Sequence, residues 1–278
     1  MKSGNRAWPA GRWAVAALLW SSVSYPLFAA PAGQVARTLF IGVENYRWQE
    51  YDSGGSRLLT EQGPRVVAAG VFDNAGRTAS GAFFAATVKG YAGSVDYDGQ
   101  DGNGVYTSST SSYLGWGAVI DGGYRLRRGE RGSQIDIRAG VGYEGWRRDI
   151  NSSVNANGQP VGGVVEDYGM AFGRIGLGLP LGMISGRGHV DLGLKRPLTV
   201  SERVTVDGAP IHLAPRPEWS FYASYLIPYG SDETRYVRFY YDSIRFGQSP
   251  SKVTPLPRTV WQPESKADIV GLALGVRF

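Results

Sequence analysis

Residues 268–278 of the sequence, DIVGLALGVRF, alternate between large apolar side chains and small or polar ones. The large apolar side chains are those of Val270, Leu272, Leu274, Val276 and Phe278. A period of two is that of a β-strand whose two faces meet different surroundings. The segment therefore predicts a strand that presents one continuous apolar face and ends on an aromatic residue.

The composition narrows the class of protein. The chain has 278 residues, of which 42% are hydrophobic and 19% are charged, and its 40 glycines are about twice the usual share. Cysteine is absent, so disulfides, thiolate metal sites and a cysteine nucleophile are excluded. We expect no cofactor and no bound metal.

The first 32 residues have the pattern of a cleavable signal peptide. Lys2, Arg6 and Arg12 precede or flank a short apolar run, and Ala30-Pro31-Ala32 matches the small-residue cleavage pattern. We expect cleavage after Ala32, export of the chain, and a mature domain over 33–278. Without those three bases the net charge of +5 falls to +2, so nucleic acid is not expected as a partner.

Ten segments of the mature chain show the alternation of a β-strand. They are centred near residues 43, 68, 86, 118, 138, 174, 192, 223, 240 and 272. Short connections, at 73–77, 127–132, 181–188 and 229–234, take turns with longer polar ones near 52–63, 98–111, 149–166, 200–217 and 247–264. This sorting by length places every long connection at one end of an up-and-down sheet.

The segment length separates two all-β architectures. Strands of a soluble sandwich average five or six residues, whereas a tilted strand needs about ten to cross a membrane. The segments here reach about ten or more, and a spanning sheet must close because unpaired backbone groups are costly in lipid. We therefore predict a closed antiparallel transmembrane β-barrel of about ten strands, with eight or twelve as alternatives. The five tryptophans after the signal lie near the long-connection ends, which is typical of an interface girdle: Trp48, Trp116, Trp146, Trp219 and Trp261.

The terminal strand resembles that of bacterial outer-membrane β-barrel proteins, in which alternating apolar residues end in Phe. Val270, Leu272, Leu274, Val276 and Phe278 match this pattern. The resemblance implies a location in the outer membrane, contact with its lipid and lipopolysaccharide, and recognition of Phe278 by the barrel assembly machinery. A monomer is expected.

The inward faces of these strands carry charges of both signs in equal number. They are Glu44, Asp121, Asp136, Glu144, Asp191 and Asp242 against Arg125, Arg138, Arg174, Lys195, Arg238 and Arg277, with Lys89 as a further candidate. A buried charge is costly unless it is paired. We therefore predict a network of ion pairs that plugs the lumen, and a proton or ion path is the alternative.

A second set of residues raises the possibility of catalysis. Asp96 and Asp98 lie where the third segment meets the second long connection, and Asp207 and His212 lie in the fourth. This layout is similar to that of the omptin family of outer-membrane proteases, where a water is activated between two such pairs. The sequence departs from the family's Asp-x-His pattern, because residue 210 is Pro. The leading interpretation is a non-enzymatic barrel whose long loops make surface contacts or support the envelope; an omptin-like protease and a small gated channel are the alternatives.

Overall fold

A computed structural model describes residues 35–74, 80–128, 133–181, 188–206, 209–230, 234–253 and 259–278. The chain divides into Met1–Gly33 and Gln34–Phe278, and the second unit carries every described strand. The predicted signal peptide at 1–32 lies outside the described residues.

Ten long strands form the body of the fold. They are β1 (Ala36–Tyr51), β2 (Arg57–Asp73), β3 (Gly81–Gln100), β4 (Tyr106–Arg128), β5 (Ser133–Ile150), β6 (Val164–Leu181), β7 (Gly188–Val206), β8 (Ser220–Tyr229), β9 (Arg235–Gly247) and β10 (Glu264–Arg277). Six short strands lie in the connections at one end: Ser153–Val154, Pro160–Val161, Ala209–Leu213, Arg216–Pro217, Lys252–Val253 and Thr259–Val260. All ten predicted segment centres fall within the ten long strands.

Each long strand pairs antiparallel with its neighbours in sequence, and β10 pairs with β1 to close the sheet. At this seam Val43 lies opposite Leu272, so the alternation of the terminal strand is in register with that of β1. The predicted closed, up-and-down, ten-stranded antiparallel barrel is confirmed. No helix in the described part of the chain is both long and apolar enough to cross a membrane.

The two ends of the barrel differ in their connections. Four short connections, at 74–80, 129–132, 182–187 and 230–234, lie at the short-turn end together with the start of β1 and the end of β10. The other five lie at the opposite end, which we call the long-loop end: 52–56, 101–105, 151–163, 207–219 and 248–263. Here the sequence interpretation was wrong for the first two connections, which are tight turns, because the strands continue well past their apolar portions.

The barrel wall separates an apolar outer face from a mixed inner face. On β1, Ile41 is 71% exposed, whereas its neighbour Phe40 is buried within the barrel. On β10, Val270, Leu272 and Leu274 are likewise exposed on the outside. An apolar outer band of this kind is what a lipid bilayer requires of a barrel.

The tryptophans only partly follow the predicted girdle. Trp116, Trp219 and Trp261 are exposed, as expected of interface residues. Trp48 and Trp146 instead point into the barrel and are buried, which corrects that part of the prediction. Each lies on the same face of its strand as the buried inward residues, and inside the barrel both rings pack against other aromatic rings.

Many glycines let large inner side chains lie flat against the wall. A Cβ on Gly115 of β4 would overlap the ring of Tyr91 on β3, and one on Gly271 of β10 would overlap Tyr240 on β9. In both pairs the two residues are direct cross-strand neighbours. The high glycine content therefore serves close packing within a narrow barrel.

Candidate functional site

The half of the lumen nearer the long-loop end is filled by an aromatic layer. Trp48 is completely buried, with its ring centroid 5.9 Å from that of Tyr168 and 6.1 Å from that of Phe246. Trp146 stacks on Tyr168 with centroids 4.7 Å apart. The aromatic members of the layer are Tyr46, Trp48, Tyr91, Tyr97, Tyr113, Trp146, Tyr168, Phe172 and Phe246. Rings from strands around the barrel thus meet in its centre.

Toward the long-loop end, a single arginine gathers several carboxylates. The guanidinium of Arg148 contacts Glu50 at 2.9 Å, Glu61 at 3.0 Å and Glu166 at 2.8 Å, and all four residues are buried. Glu202 is buried as well, and its Oε2 has no hydrogen-bond partner among the described residues. We call these five residues the Arg148 cluster.

Neutral donors satisfy much of the negative charge in the Arg148 cluster. Trp48 Nε1 donates to Glu50 at 2.8 Å, and the Tyr168 hydroxyl donates to Glu166 at 3.0 Å. Ser111 donates to Glu61 at 2.5 Å, and Tyr113 also donates to this carboxylate. The five residues of the cluster lie on five strands, β1, β2, β5, β6 and β7. The cluster therefore joins opposite sides of the wall.

A cavity of about 640 Å³ lies on the short-turn side of the aromatic layer. Its lining includes Thr38, Asp73, Pro228 and Arg277, which lie close to the short-turn ends of their strands. Phe172 and Ile269, which belong to or pack with the aromatic layer, line it as well. The cavity therefore extends from the layer toward the short-turn end.

All twelve charged residues predicted to face the lumen are inside the barrel, and eleven of them line the cavity. The twelfth, Glu44, is buried and binds Arg65. The cavity pairs are Lys89–Glu144, Arg125–Asp136, Arg138–Asp191, Arg174–Asp121, Lys195–Asp242 and Arg277–Asp73. His189 lies 3.2 Å from Asp191 in the same region.

Several buried charged residues were not predicted from the sequence to face the lumen. Arg65, Glu61, Glu166 and Glu202 fall in or beside segments interpreted as polar loops. For Arg65, Glu61 and Glu166 the signal was present, because each keeps the parity of the inward residues on its strand. Extending the alternation past the apolar portion of β2 and β6 would have placed these three inside. Glu202 could not be found in this way, because it follows a register shift in the pairing of β6 with β7 and has the opposite parity to Lys195.

The structure does not bring the candidate catalytic residues together. Asp96 and Asp98 are exposed on the outer face of β3, and the Tyr106 hydroxyl donates to Asp98 at 2.8 Å. His212 is exposed in Ala209–Leu213, opposite Arg203 of β7. Since β3 and β7 are four strands apart in a ring of ten, these side chains leave the barrel from different walls. Asp207 lies outside the described residues.

No site for a metal ion emerges from the residues that the structure describes. Among them, no group of three or more histidine, cysteine, aspartate or glutamate side chains is arranged to hold one. Glu50, Glu61 and Glu166 of the Arg148 cluster instead bind the arginine and neutral donors.

The sequence and the structure were compared with those of known proteins. No protein-family model matches the chain, and no curated protein is detectably similar to it in sequence. The crystal structure of the outer membrane protease OmpT from Escherichia coli is similar, with 9% identity and a TM-score of 0.51, over 88% of this chain and 96% of that one. The translocator domain of the autotransporter NalP from Neisseria meningitidis overlaps with 12% identity and a TM-score of 0.44, over 88% and 89% of the two chains. The chain therefore has the fold of a bacterial outer-membrane β-barrel.

Proposed function

We propose that this protein is a closed, non-enzymatic barrel of the bacterial outer membrane that presents a fixed binding surface at its long-loop end. The observation that carries the proposal is the aromatic layer, in which Trp48 is fully buried and contacts rings from other strands. A lumen filled in this way has no continuous path for solutes. The function then belongs to the surface rather than to a pore.

The connections at the long-loop end support a role in binding because they are tied to one another. Asn155, in the connection 151–163, donates to Asp101 in the turn between β3 and β4 at 2.8 Å. Gln262, in the connection 248–263, reaches into the barrel and donates to Glu50 at 3.2 Å. Ordered loops lose less conformational entropy when a partner binds than mobile ones do.

Exposed apolar side chains on the same connections suit recognition of another macromolecule. Val154 is 61% exposed, Val253 is 77% exposed and Trp261 is 43% exposed. Apolar side chains rimmed by polar ones commonly mark interaction sites on protein surfaces. We therefore assign partner binding to this end of the barrel, which would face outward from the cell.

Planar-bilayer recording tests whether the lumen is closed. The purified barrel should give no steady current, whereas the double variant Trp48→Ala and Phe246→Ala should open intermittent conductance by thinning the aromatic layer. The matched control is Trp116→Ala with Phe239→Ala, which removes two exposed rings from the outer face. A stable, ion-selective current through the unaltered protein would contradict the proposal and favour a channel.

Peptide cleavage tests the enzymatic alternative. General-base activation of water requires the base and its partner within hydrogen-bond reach, about 2.6–3.2 Å, or linked through one water. Asp98 and His212 leave the barrel from different walls, so we expect no cleavage of peptides with basic residues at the scissile site. Cleavage that disappears in both His212→Ala and Asp98→Asn would establish a protease instead.

A further inference from the structure

The cavity on the short-turn side has the dimensions and the wall of a small-molecule site. Its volume of about 640 Å³ lies within the range of pockets that enclose drug-sized ligands, about 300–1,000 Å³. Apolar side chains form much of the wall: Phe40, Val67, Ala69, Val71, Phe83, Val119, Phe172, Leu226 and Ala273. A ligand could therefore bury an apolar body there.

The charges in the described wall do not balance. Seven basic and six acidic side chains line the cavity when His189 is counted as neutral. Each of the six acids is ion-paired with one of six bases. The base that remains is Arg238 of β9.

Arg238 has no hydrogen bond or ion pair among the residues that the structure describes. Its guanidinium carbon lies 5.8 Å from the ring centroid of Phe40 and 5.6 Å from that of Tyr240. Asp191 and Asp242 act on it electrostatically, but these carboxylates are ion-paired with Arg138 and Lys195. The Arg238 side chain is half-buried and lines the cavity, so its guanidinium is accessible to a ligand there.

We infer that the cavity binds a small organic monoanion, such as a carboxylate with an aromatic or branched apolar body, through the guanidinium of Arg238. A carboxylate matches the planar fork of arginine and supplies the one negative charge that the wall lacks. The apolar wall takes the body of the ligand. This inference goes beyond the proposed function and does not depend on the loops at the opposite end.

The aromatic layer determines the side from which such a ligand arrives. The layer closes the cavity toward the long-loop end, whereas the lining reaches Pro180, Pro228 and Arg277 near the ends of β6, β8 and β10. The ligand therefore comes from the short-turn side. In the proposed orientation this is the inner side of the outer membrane.

Calorimetric titration of the full barrel in maltoside micelles tests the inference with a matched pair of probes. The probes are 2-naphthoate and its uncharged analogue 2-naphthamide, each corrected against protein-free micelles. We expect saturable 1:1 binding of the acid and at least about tenfold weaker binding of the amide, as loss of a charge-assisted contact implies. Arg238→Met should reduce the affinity for the acid to that for the amide, and Arg238→Lys should keep a preference for the acid.

The control variant is Arg147→Met, because Arg147 lies exposed on the outer face of β5 and should leave binding unchanged. Equal affinities for acid and amide in the unaltered protein would overturn the inference, as would the absence of binding at millimolar concentration. Unchanged binding in Arg238→Met would overturn it too. The acid and amide comparison needs no variant, so it decides the matter even where a variant fails to fold.

Discussion

The guanidinium of Arg148 and the carboxylate of Glu61 lie 3.0 Å apart inside the barrel, although 87 residues separate them in sequence. Arg148 is on β5 and Glu61 is on β2, and β3 and β4 stand between these strands in the wall. The contact therefore crosses the lumen. The same guanidinium also binds Glu50 and Glu166, so that one cation holds three carboxylates from three other strands.

Replacing Arg148 with alanine should destabilise the barrel strongly. The change leaves three buried carboxylates without their cation, a situation that typically costs about 3–5 kcal/mol. Arg147 is the matched control, because it is adjacent in sequence but pairs with Asp167 on the exposed outer face at 2.7 Å. Arg147→Ala should cost no more than about 1 kcal/mol.

Unfolding of both variants in urea, followed by heat-modifiable gel mobility in detergent, measures this difference. Similar losses in Arg148→Ala and Arg147→Ala would show that the Arg148 cluster adds nothing beyond an exposed pair. A Glu61→Gln variant serves as a further check, since it keeps the shape of the side chain but removes one of the bound carboxylates.

The barrel was predictable because its signal is periodic and repeated. Each strand must expose apolar residues outside and other residues inside, so the alternation at Val270, Leu272 and Leu274 recurs along the chain. The Arg148 cluster was harder to find because β1, β2 and β7 extend beyond the apolar band. There the outer face is mostly polar too, so the alternation is weak and Glu61 or Glu202 looks like a loop residue in sequence.

Side-chain parity also explains why the candidate catalytic layout did not assemble. Asp96 and Asp98 alternate with the buried Val95 and Tyr97, so they must face outward. His212 lies between the buried Ile211 and Leu213 and faces outward for the same reason. The sequence shows the types of these residues and their order. The face of the sheet to which each side chain points follows only from the register of the strands.

Two glycines on β4 test where close packing against the barrel wall excludes a larger residue. A Cβ at Gly115 would overlap the ring of Tyr91, whose hydroxyl donates to Glu144 at 3.1 Å. Gly115→Ala should therefore destabilise the barrel by about 1–3 kcal/mol through overpacking. At Gly122 a Cβ would meet no atom within 4 Å, so Gly122→Ala should be neutral or slightly stabilising. Equal unfolding midpoints in urea for the two variants would contradict this account.

The terminal aromatic residue should matter for assembly more than for stability. Phe278 keeps its backbone bond to Arg37 at 2.9 Å whatever its side chain, and that side chain is 61% exposed. Phe278→Ala should therefore refold normally in detergent but reach the outer membrane of cells in reduced amount. Phe239→Ala, which removes an outward ring from β9, should assemble like the unaltered protein. The intensity of the heat-modifiable band in membrane fractions measures the amount of assembled barrel for each variant. Equal yields of the two variants would show that Phe278 has no special role in assembly.

The turn between β3 and β4 should lose its side-chain contact with the connection 151–163 in acid. Asp101 accepts hydrogen bonds from the Asn155 side chain at 2.8 Å and from the backbone N–H groups of Val105 at 3.0 Å and Asn103 at 2.8 Å. These bonds, that from Asn155 foremost, lower the pKa of Asp101 below its ordinary value of about 3.9. Because the folded-state pKa is lowered, the stabilisation is complete above that ordinary value and is lost as the pH falls through the folded-state pKa.

The contact between Asn155 and Asp101 should accordingly persist at neutral pH and be lost only below the ordinary aspartate pKa of about 3.9, when Asp101 becomes protonated. Other bonds, such as that from Ala156 N to the Tyr106 carbonyl at 2.9 Å, should still hold residues 151–163 to β4. The NMR signal of the Asn155 side-chain amide reports this directly, because the amide loses the Asp101 acceptor when the contact breaks. Asp101→Asn should weaken the same contact at pH 7 by removing the charge. Asp52→Asn is the matched control, since Asp52 accepts from Gly54 and Ser56 within its own turn and, among the described residues, makes no hydrogen bond to another connection. An Asn155 signal that is unchanged in Asp101→Asn, or that shifts equally in Asp52→Asn, would show that the Asp101 carboxylate does not hold the two connections together.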